Sequence, residues 1–187
     1  MNHYFFKRIP TLEENWSSME SLFIKKEIPA KTLLLSEGDI ANYIYFIDKG
    51  ALRLWNNDDG RDITVQFFFE NQIVASFESW YQKMPSIFSI ESIEDTTVMA
   101  LSSDAYCKLI EQFSEINTYL TQLISERFVS YTNYFLSRIK DTPEKRYQYL
   151  VNHEPELVAR IPQHYIASYL GITPVSLSRI RNRIKLT

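Results

Sequence analysis

Residues 161–184, IPQHYIASYLGITPVSLSRIRNRI, restrict the fold more than any other stretch of the chain. Ile166, Ala167 and Leu170 give a short helix an apolar face, and Gly171 supplies the left-handed conformation in which a helix stops at little steric cost. Thr173 then offers an N-cap, and Pro174 a first helical residue whose missing N–H is not needed. Two helices joined by so tight a turn match the helix-turn-helix pattern, whose second helix enters the DNA major groove. At about 100° per residue, Leu177, Ile180 and Ile184 fall on one face of that second helix. Val175, Ser178, Arg179, Asn182 and Arg183 fall on the other, flanked by Ser176 and Arg181. Arginine can bond guanine bidentately, asparagine can pair with adenine, and Ser or Thr can hold phosphates. The same residues would also suit the solvated side of an ordinary C-terminal helix.

Charge is distributed in keeping with a DNA-facing C-terminus. From Pro143 onward there are seven Lys/Arg against three Asp/Glu, a net +4, so residues 1–142 carry -7 and the chain totals -3. A local excess of cations is the electrostatic footprint of a phosphate-binding surface. The 187 residues suffice for one large or two small domains with a real core. No apolar run has membrane-spanning length and no signal peptide is evident, so a soluble, cytoplasmic protein without membrane contact is expected. The single Cys107 excludes an internal disulfide and a four-thiolate iron–sulfur or zinc site. His3, His153 and His164 are scattered, and no metal site is expected. A cupin-type enzyme needs histidines converging inside a barrel. None lies between His3 and His153, so no catalytic residue is assigned and the chain is not expected to be an enzyme.

Ahead of the helix-turn-helix the pattern is α+β. Thr11 and Glu14 have capping-box spacing, and Leu12, Trp16, Met19 and Phe23 recur at helical intervals, predicting a helix over Leu12–Ile24. Short β-branched or aromatic runs follow at 32–35, 43–47, 52–55, 63–69, 73–76, 88–92 and 97–101. Gly38, Gly50 and Gly60 fall between runs, which predicts antiparallel turns and a β-roll, jelly roll or barrel. FESWYQKMPS, residues 77–86, does not alternate and reads as a loop or short helix across the barrel mouth, where such folds place a ligand. Trp80 and Tyr81 could equally plug the barrel.

A short helix over 104–112 precedes a long one over 115–139, in which Ile116, Leu120, Ile124, Phe128, Tyr131, Phe135 and Ile139 recur every three or four residues. Tyr119, Leu123 and Tyr134 widen that stripe. A helix longer than its barrel needs, apolar on so wide a face, predicts a twofold dimer through Ile116, Leu120, Leu123, Ile124, Phe128, Tyr131 and Phe135, the alternative being a long helix buried entirely within one subunit. Asp141, Thr142 and Pro143 break it, 144–152 is helical again, and 154–160 reads as a link. The expected organisation is a sensor domain over 1–113, a dimerisation helix over 114–140 and an all-α DNA-binding domain over 141–187.

That order of parts resembles the Crp/Fnr family of bacterial transcription regulators, especially its Bacteroidetes members. LLLSEGDIANYIYFIDKGALRLW, residues 33–55, is similar to the family's E-G-D…Y-x-I-x-x-G double hairpin, and IASYLGITPVSLSRIRNRI, residues 166–184, to its I-A-x-x-L-G…T-x-S-R signature. The resemblance implies a homodimer on a double-stranded DNA operator, acting with RNA polymerase. It implies phosphate contacts from Gln163, Thr173 and Ser176 and base contacts from Val175, Ser178 and Arg179. Val175 stands where the family often has glutamate; it can touch a thymine methyl but cannot accept from cytosine. The segment before the motif is short for the family's β-wing.

The sensor departs further. Cyclic-AMP-binding members carry Gly-Glu-Leu and, some ten residues on, Arg-Ser/Thr-Ala around the ligand. Here those positions read Ala75, Ser76, Phe77 and Ser86, Ile87, Phe88, and both charged contacts are missing. The resemblance makes Ser76, Phe77, Glu78, Trp80, Ser86 and Phe88 the pocket residues. A buried phosphate without cations is costly, so cyclic AMP is not expected there; the pocket is self-filled or takes an uncharged effector. One cysteine supports neither oxygen sensing by an iron–sulfur cluster nor haem sensing. The alternative is a ligand-binding β-roll adaptor whose helix-turn-helix docks a protein.

Overall fold

The computed structural model describes residues 9–185, so the outermost residues of both expected end domains lie outside the described range. Its architecture is α+β. Eight strands, β1 Phe23–Ile28, β2 Leu33–Leu35, β3 Tyr43–Lys49, β4 Leu52–Asp58, β5 Arg61–Phe68, β6 Ile73–Val74, β7 Ser89–Ser92 and β8 Thr96–Ser102, form two antiparallel sheets. Their orders are β1-β8-β3-β6 and β2-β7-β4-β5. The facing sheets bury Ile47, Leu52, Ile90 and Val98 almost completely. The roll foreseen from the strand spacing is therefore present.

Gly50 shows why its turn takes no other residue. Its φ is +96°, and an added Cβ would lie 2.5 Å from Thr96 Oγ1 and 2.8 Å from Asp95 O. Both the left-handed backbone and the close approach exclude a side chain.

The first helix differs from expectation. In place of one helix over Leu12–Ile24 there are α1 Pro10–Glu14, α2 Trp16–Met19, a 3-10 turn Glu20–Leu22, and then β1. Asn15 Nδ2 donates to Thr11 O at 3.0 Å and closes the first turn. Thr11 and Glu14 form no capping box, because Ile9 is the N-cap and Pro10 opens the helix. Phe23 instead pairs with Leu101 and packs edge-on to Phe46, centroids 5.6 Å apart. Strand pairing and ring packing override a helical periodicity that ran one turn too far.

Residues 77–86 contain a short helix, α3 Phe77–Gln82. After β8 come α4 Ser103–Gln112 and the 27-residue α5 Ser114–Lys140, about 40 Å long at 1.5 Å per residue. Thr142 Oγ1 accepts the Lys145 N–H and caps α6 Pro143–His153. The expected link is itself a helix, α7 Pro155–Arg160, opened by Pro155. Then follow α8 Gln163–Leu170, Gly171 with φ +69°, and α9 Pro174–Lys185. Among the described residues no strand follows Ser102, so no β-wing precedes α8, and no helix is long and apolar enough to cross a membrane.

A second core joins the C-terminal helices to the roll. Tyr147, Leu150, Leu157, Ile166, Leu170, Leu177 and Ile180 are buried together with Ala51 and Phe67 of the roll. The C-terminal helices are thus seated on their own subunit's sheet.

Candidate functional site

Helix α9 is phased as the apolar spacing requires. Leu177 and Ile180 are buried and Ile184 half-buried, while Val175, Ser178, Arg179, Asn182 and Arg183 are exposed. Thr173 Oγ1 accepts the Ser176 N–H at 3.1 Å, so its hydroxyl caps the helix from the turn. Ser176 is half-buried, its hydroxyl 3.0 Å from that of Thr173. Arg183 Nη2 lies 3.3 Å from Glu144 of α6, an exposed pair that a phosphate could displace at small cost. Gln163, at the start of α8, stands apart from this face: it is half-buried, with an Oε1 that has no partner among the described residues.

Three contacts fix α7 and α8 on the roll, and the sequence had singled out none of them. Ser168 Oγ accepts the Thr64 N–H at 2.8 Å and donates to Asp62 O at 2.6 Å, so it covers the edge of β5, the outermost strand of its sheet. Arg53 of β4 is 2 % exposed. Its Nε donates to Glu91 at 2.7 Å and its Nη2 to Asp62 at 3.0 Å, and its guanidinium lies between the rings of Trp55 and Tyr165, 4.5 and 3.8 Å from their centroids. Arg160 of α7 makes paired bonds of 2.8 and 2.9 Å to Glu70 and reaches Glu94 and Glu156. Those carboxylates, Glu70 foremost, raise its pKa further above an already high value. Burial pulls the Glu70 carboxyl upward, but its bonds from Arg160 and the Gly50 N–H prevail and hold it below the usual glutamate value. An arginine between leucines, Leu52-Arg53-Leu54, is the one sequence signal that could have marked Arg53.

The far end of α8 is tied to α5 and α6. Tyr134 Oη and Arg138 Nη1 each donate to Tyr169 O at 2.9 Å, and Arg146 Nη2 donates to Leu170 O at 2.8 Å. Cations and hydroxyls on the last carbonyls suit the negative end of a helix. The rings of Tyr134 and Tyr169 stack at 5.0 Å, and burial raises both phenols. The helix pair is therefore hung from the end of α5.

Two of the six expected pocket residues bond to each other. Ser86 Oγ donates to Ser76 Oγ at 2.7 Å and accepts the Phe88 N–H at 3.0 Å, so the two serines occupy one another, both buried. Trp80 is buried edge-on to Tyr106, while Phe77 and Glu78 are exposed and Phe88 half-buried. None of the six lines either of two voids found elsewhere. One, about 580 Å³, lies between the sheets beside Leu35, Tyr45 and Ile90; the other, about 710 Å³, lies between the roll and the C-terminal helices. In the first, Tyr45 spans the sheets to donate to Leu34 O, and burial and the neighbouring Tyr43 push its pKa up to about 12.

The stripe on α5 divides in two. Ile116 is buried in its own subunit's core, with Leu120 and Leu123 half-buried on the same core, so the first turns of the expected dimer face are occupied within the subunit. Ile124 is half-buried, and beyond it Phe128, Tyr131 and Phe135 are 72, 53 and 60 % exposed, with Ile139 at 68 %.

Residues 25–113 match the cyclic nucleotide-binding domain family, which defines the class of the roll. Over most of its length the chain has the fold of Crp/Fnr-type transcription regulators. It is similar to FixK2 from Bradyrhizobium japonicum, with 17% identity and a TM-score of 0.75 over 88% of this chain and 85% of that one. A structure from Eubacterium rectale assigned to the crp/fnr family of transcriptional regulators gives 18% identity and 0.73 over 96% and 88%. The Catabolite Activator Protein of Thermus thermophilus gives 20% and 0.57 over 92% and 83%. At such identities the likeness is one of fold. No curated protein matches the sequence.

Proposed function

We propose that the protein is a homodimeric, sequence-specific DNA-binding transcription regulator of the Crp/Fnr type. One observation carries this reading: α9 buries Leu177 and Ile180 while Val175, Ser178, Arg179 and Asn182 share an open face with the donors and the methyl contact that base edges accept. Arg179 is the guanine reader and Val175 packs on a thymine methyl. Thr173, Ser176 and Arg183 serve the phosphates, and Gln163 joins them once α8 lies on the backbone. The exposed Phe128, Tyr131, Phe135 and Ile139 form the dimer seam. At the promoter the dimer works with RNA polymerase.

The test is binding to double-stranded DNA across a salt series. Affinity falls steeply with salt, because phosphate neutralisation releases counterions. Arg179→Ala costs about 1–3 kcal/mol per half-site and relaxes one base position. A loss that is uniform over all sequences assigns Arg179 to the backbone, and a flat salt response contradicts the reading.

The cyclic nucleotide pocket is degenerate in this account, and neither haem nor an iron–sulfur cluster serves as effector. Ser76 and Ser86 hydrogen-bond each other where the relatives' Glu and Arg would hold ribose and phosphate. Cyclic AMP at millimolar concentration therefore gives no saturable heat in a calorimetric titration, whereas micromolar binding would overturn this part of the account.

A further inference from the structure

The 710 Å³ cleft between the β5–β6 side of the roll, α5 and the C-terminal helices is distinct from the serine-closed nucleotide pocket and from the reading face of α9. It borders the dimer seam, with which it shares Tyr131. At about 100° per residue, the side of α5 that carries Ser130, Tyr134 and Ser137 into the cleft lies roughly 150° from the side that carries Phe128, Phe135 and Ile139. Of the seam residues Phe128, Tyr131, Phe135 and Ile139, Tyr131 alone lines the cleft, so a second copy on the seam meets the cleft at that one ring.

Its lining combines rings with three cations, Arg127, Lys145 and Arg146, and three carboxylates, Glu126, Asp141 and Glu154. Tyr131, Tyr134, Tyr149 and Tyr169 face it. Arg127 lies over the Phe68 ring at 4.9 Å and donates to the Ile73 carbonyl. Arg146 donates only to the carbonyls of Arg138, Asp141 and Leu170, and its Nε is buried without a partner among the described residues. Neither arginine is in ion-pair contact with a described carboxylate. Burial pushes Arg127 down to about 10 and lowers Arg146, with the nearby Asp141 pulling Arg146 the other way, and it raises the carboxyl of the neighbouring Glu154.

We propose that this cleft is an effector site for a planar aromatic molecule bearing one anionic group: the tyrosines supply ring faces and Arg127 with Arg146 the charge complement. An occupant bears directly on the contacts that tie α8 to α5 and α6, the Tyr134–Tyr169 stack and the bond from Arg146 to Leu170 O. Its influence on DNA rests on the regulator reading above; the site itself does not.

The probe is 8-anilinonaphthalene-1-sulfonate, an aromatic anion, titrated by fluorescence into the full chain without DNA, beside its neutral analogue N-phenyl-1-naphthylamine. One sulfonate binds per chain, and the neutral analogue binds at least about tenfold more weakly, the effect of one lost charge-assisted contact. Ser130→Trp, from an exposed position on α5 that lines the cleft, weakens the sulfonate by a similar factor without moving the unfolding midpoint. Equal binding of the two probes overturns the ligand class. Sulfonate binding untouched by Ser130→Trp, or abolished by Tyr81→Ala on the exposed face of α3, overturns the site. A saturating probe that leaves DNA affinity unchanged overturns the effector role. Absence of DNA binding altogether counts against the regulator reading and leaves the binding result intact.

Discussion

Replacing Phe128 and Phe135 together with aspartate yields a folded monomer that no longer holds its operator. Both side chains are largely exposed in the single subunit, so its own core does not depend on them. With Ile124 and Tyr131 they follow the 4, 3, 4 spacing of a coiled-coil seam, and Val129, Leu136 and Ile139 broaden it. An apolar stripe of this size is rarely left to water on a soluble chain. Burying each phenylalanine contributes about 1.5–3 kcal/mol. A twofold dimer holds four of them, so the double substitution removes about 6–12 kcal/mol of association energy before like-charge repulsion is counted. Sedimentation should report a monomer at micromolar concentration, folded by circular dichroism, whose unfolding midpoint is lower than the dimer's and no longer depends on protein concentration, because association no longer stabilises the folded chain. Operator affinity should fall by at least about 10³-fold, to the non-specific range, since one reading helix cannot span two half-sites. A dimer that persists through both aspartates moves the interface off α5.

Arg53→Ala should destabilise the chain by about 3–5 kcal/mol, the cost of leaving a buried charge without its partner. Arg53 is nearly inaccessible, and its first partner Glu91 is only 14 % exposed, so that carboxylate cannot recover its hydration. Asp62 is 45 % exposed and loses less. The substitution also empties the space between Trp55 and Tyr165, which removes one of the three contacts holding α7 and α8 to the roll. At about 2–4 °C per kcal/mol for a chain of this length, the melting temperature drops by roughly 6–20 °C. The companion Arg53→Met with Glu91→Leu should recover most of the loss, because replacing both members of a buried pair with apolar groups is often close to neutral. A loss under about 1 kcal/mol in the single variant means that water reaches the pair.

The parts of this architecture set by local chemistry were readable in the chain. The Gly171 turn, the Thr173 cap and the 3-and-4 spacing of Leu177, Ile180 and Ile184 each depend on near neighbours, and α9 formed with that phase. The strands divided by Gly38, Gly50 and Gly60 formed the roll for the same reason. What failed depended on partners far away in sequence. Phe23 and Ile24 continue a helical stripe locally, yet pairing with Leu101 and Ala100 takes them into β1. Ile116 has the spacing of a dimer contact and is claimed by its own roll. The docking of α7 and α8 could not be read at all, since Thr64–Ser168, Arg53–Tyr165 and Glu70–Arg160 join residues about a hundred positions apart and no periodicity records such pairs. Of the expected pocket residues, the absence of charge at Ser76 and Ser86 was plain from the sequence. Their mutual hydrogen bond was not, because it needs the geometry of α3 between them.

Selection of bound fragments from random duplex DNA by the purified full chain tests the central claim most directly. Two copies of α9 related by a twofold axis predict an enriched near-palindrome whose half-sites are centred about one helical turn, roughly 34 Å, apart. Each half-site should contain a guanine whose preference disappears in Arg179→Ala and a neighbouring thymine opposite Val175. Recovery of sequences with neither symmetry nor a base that depends on Arg179 would contradict the account.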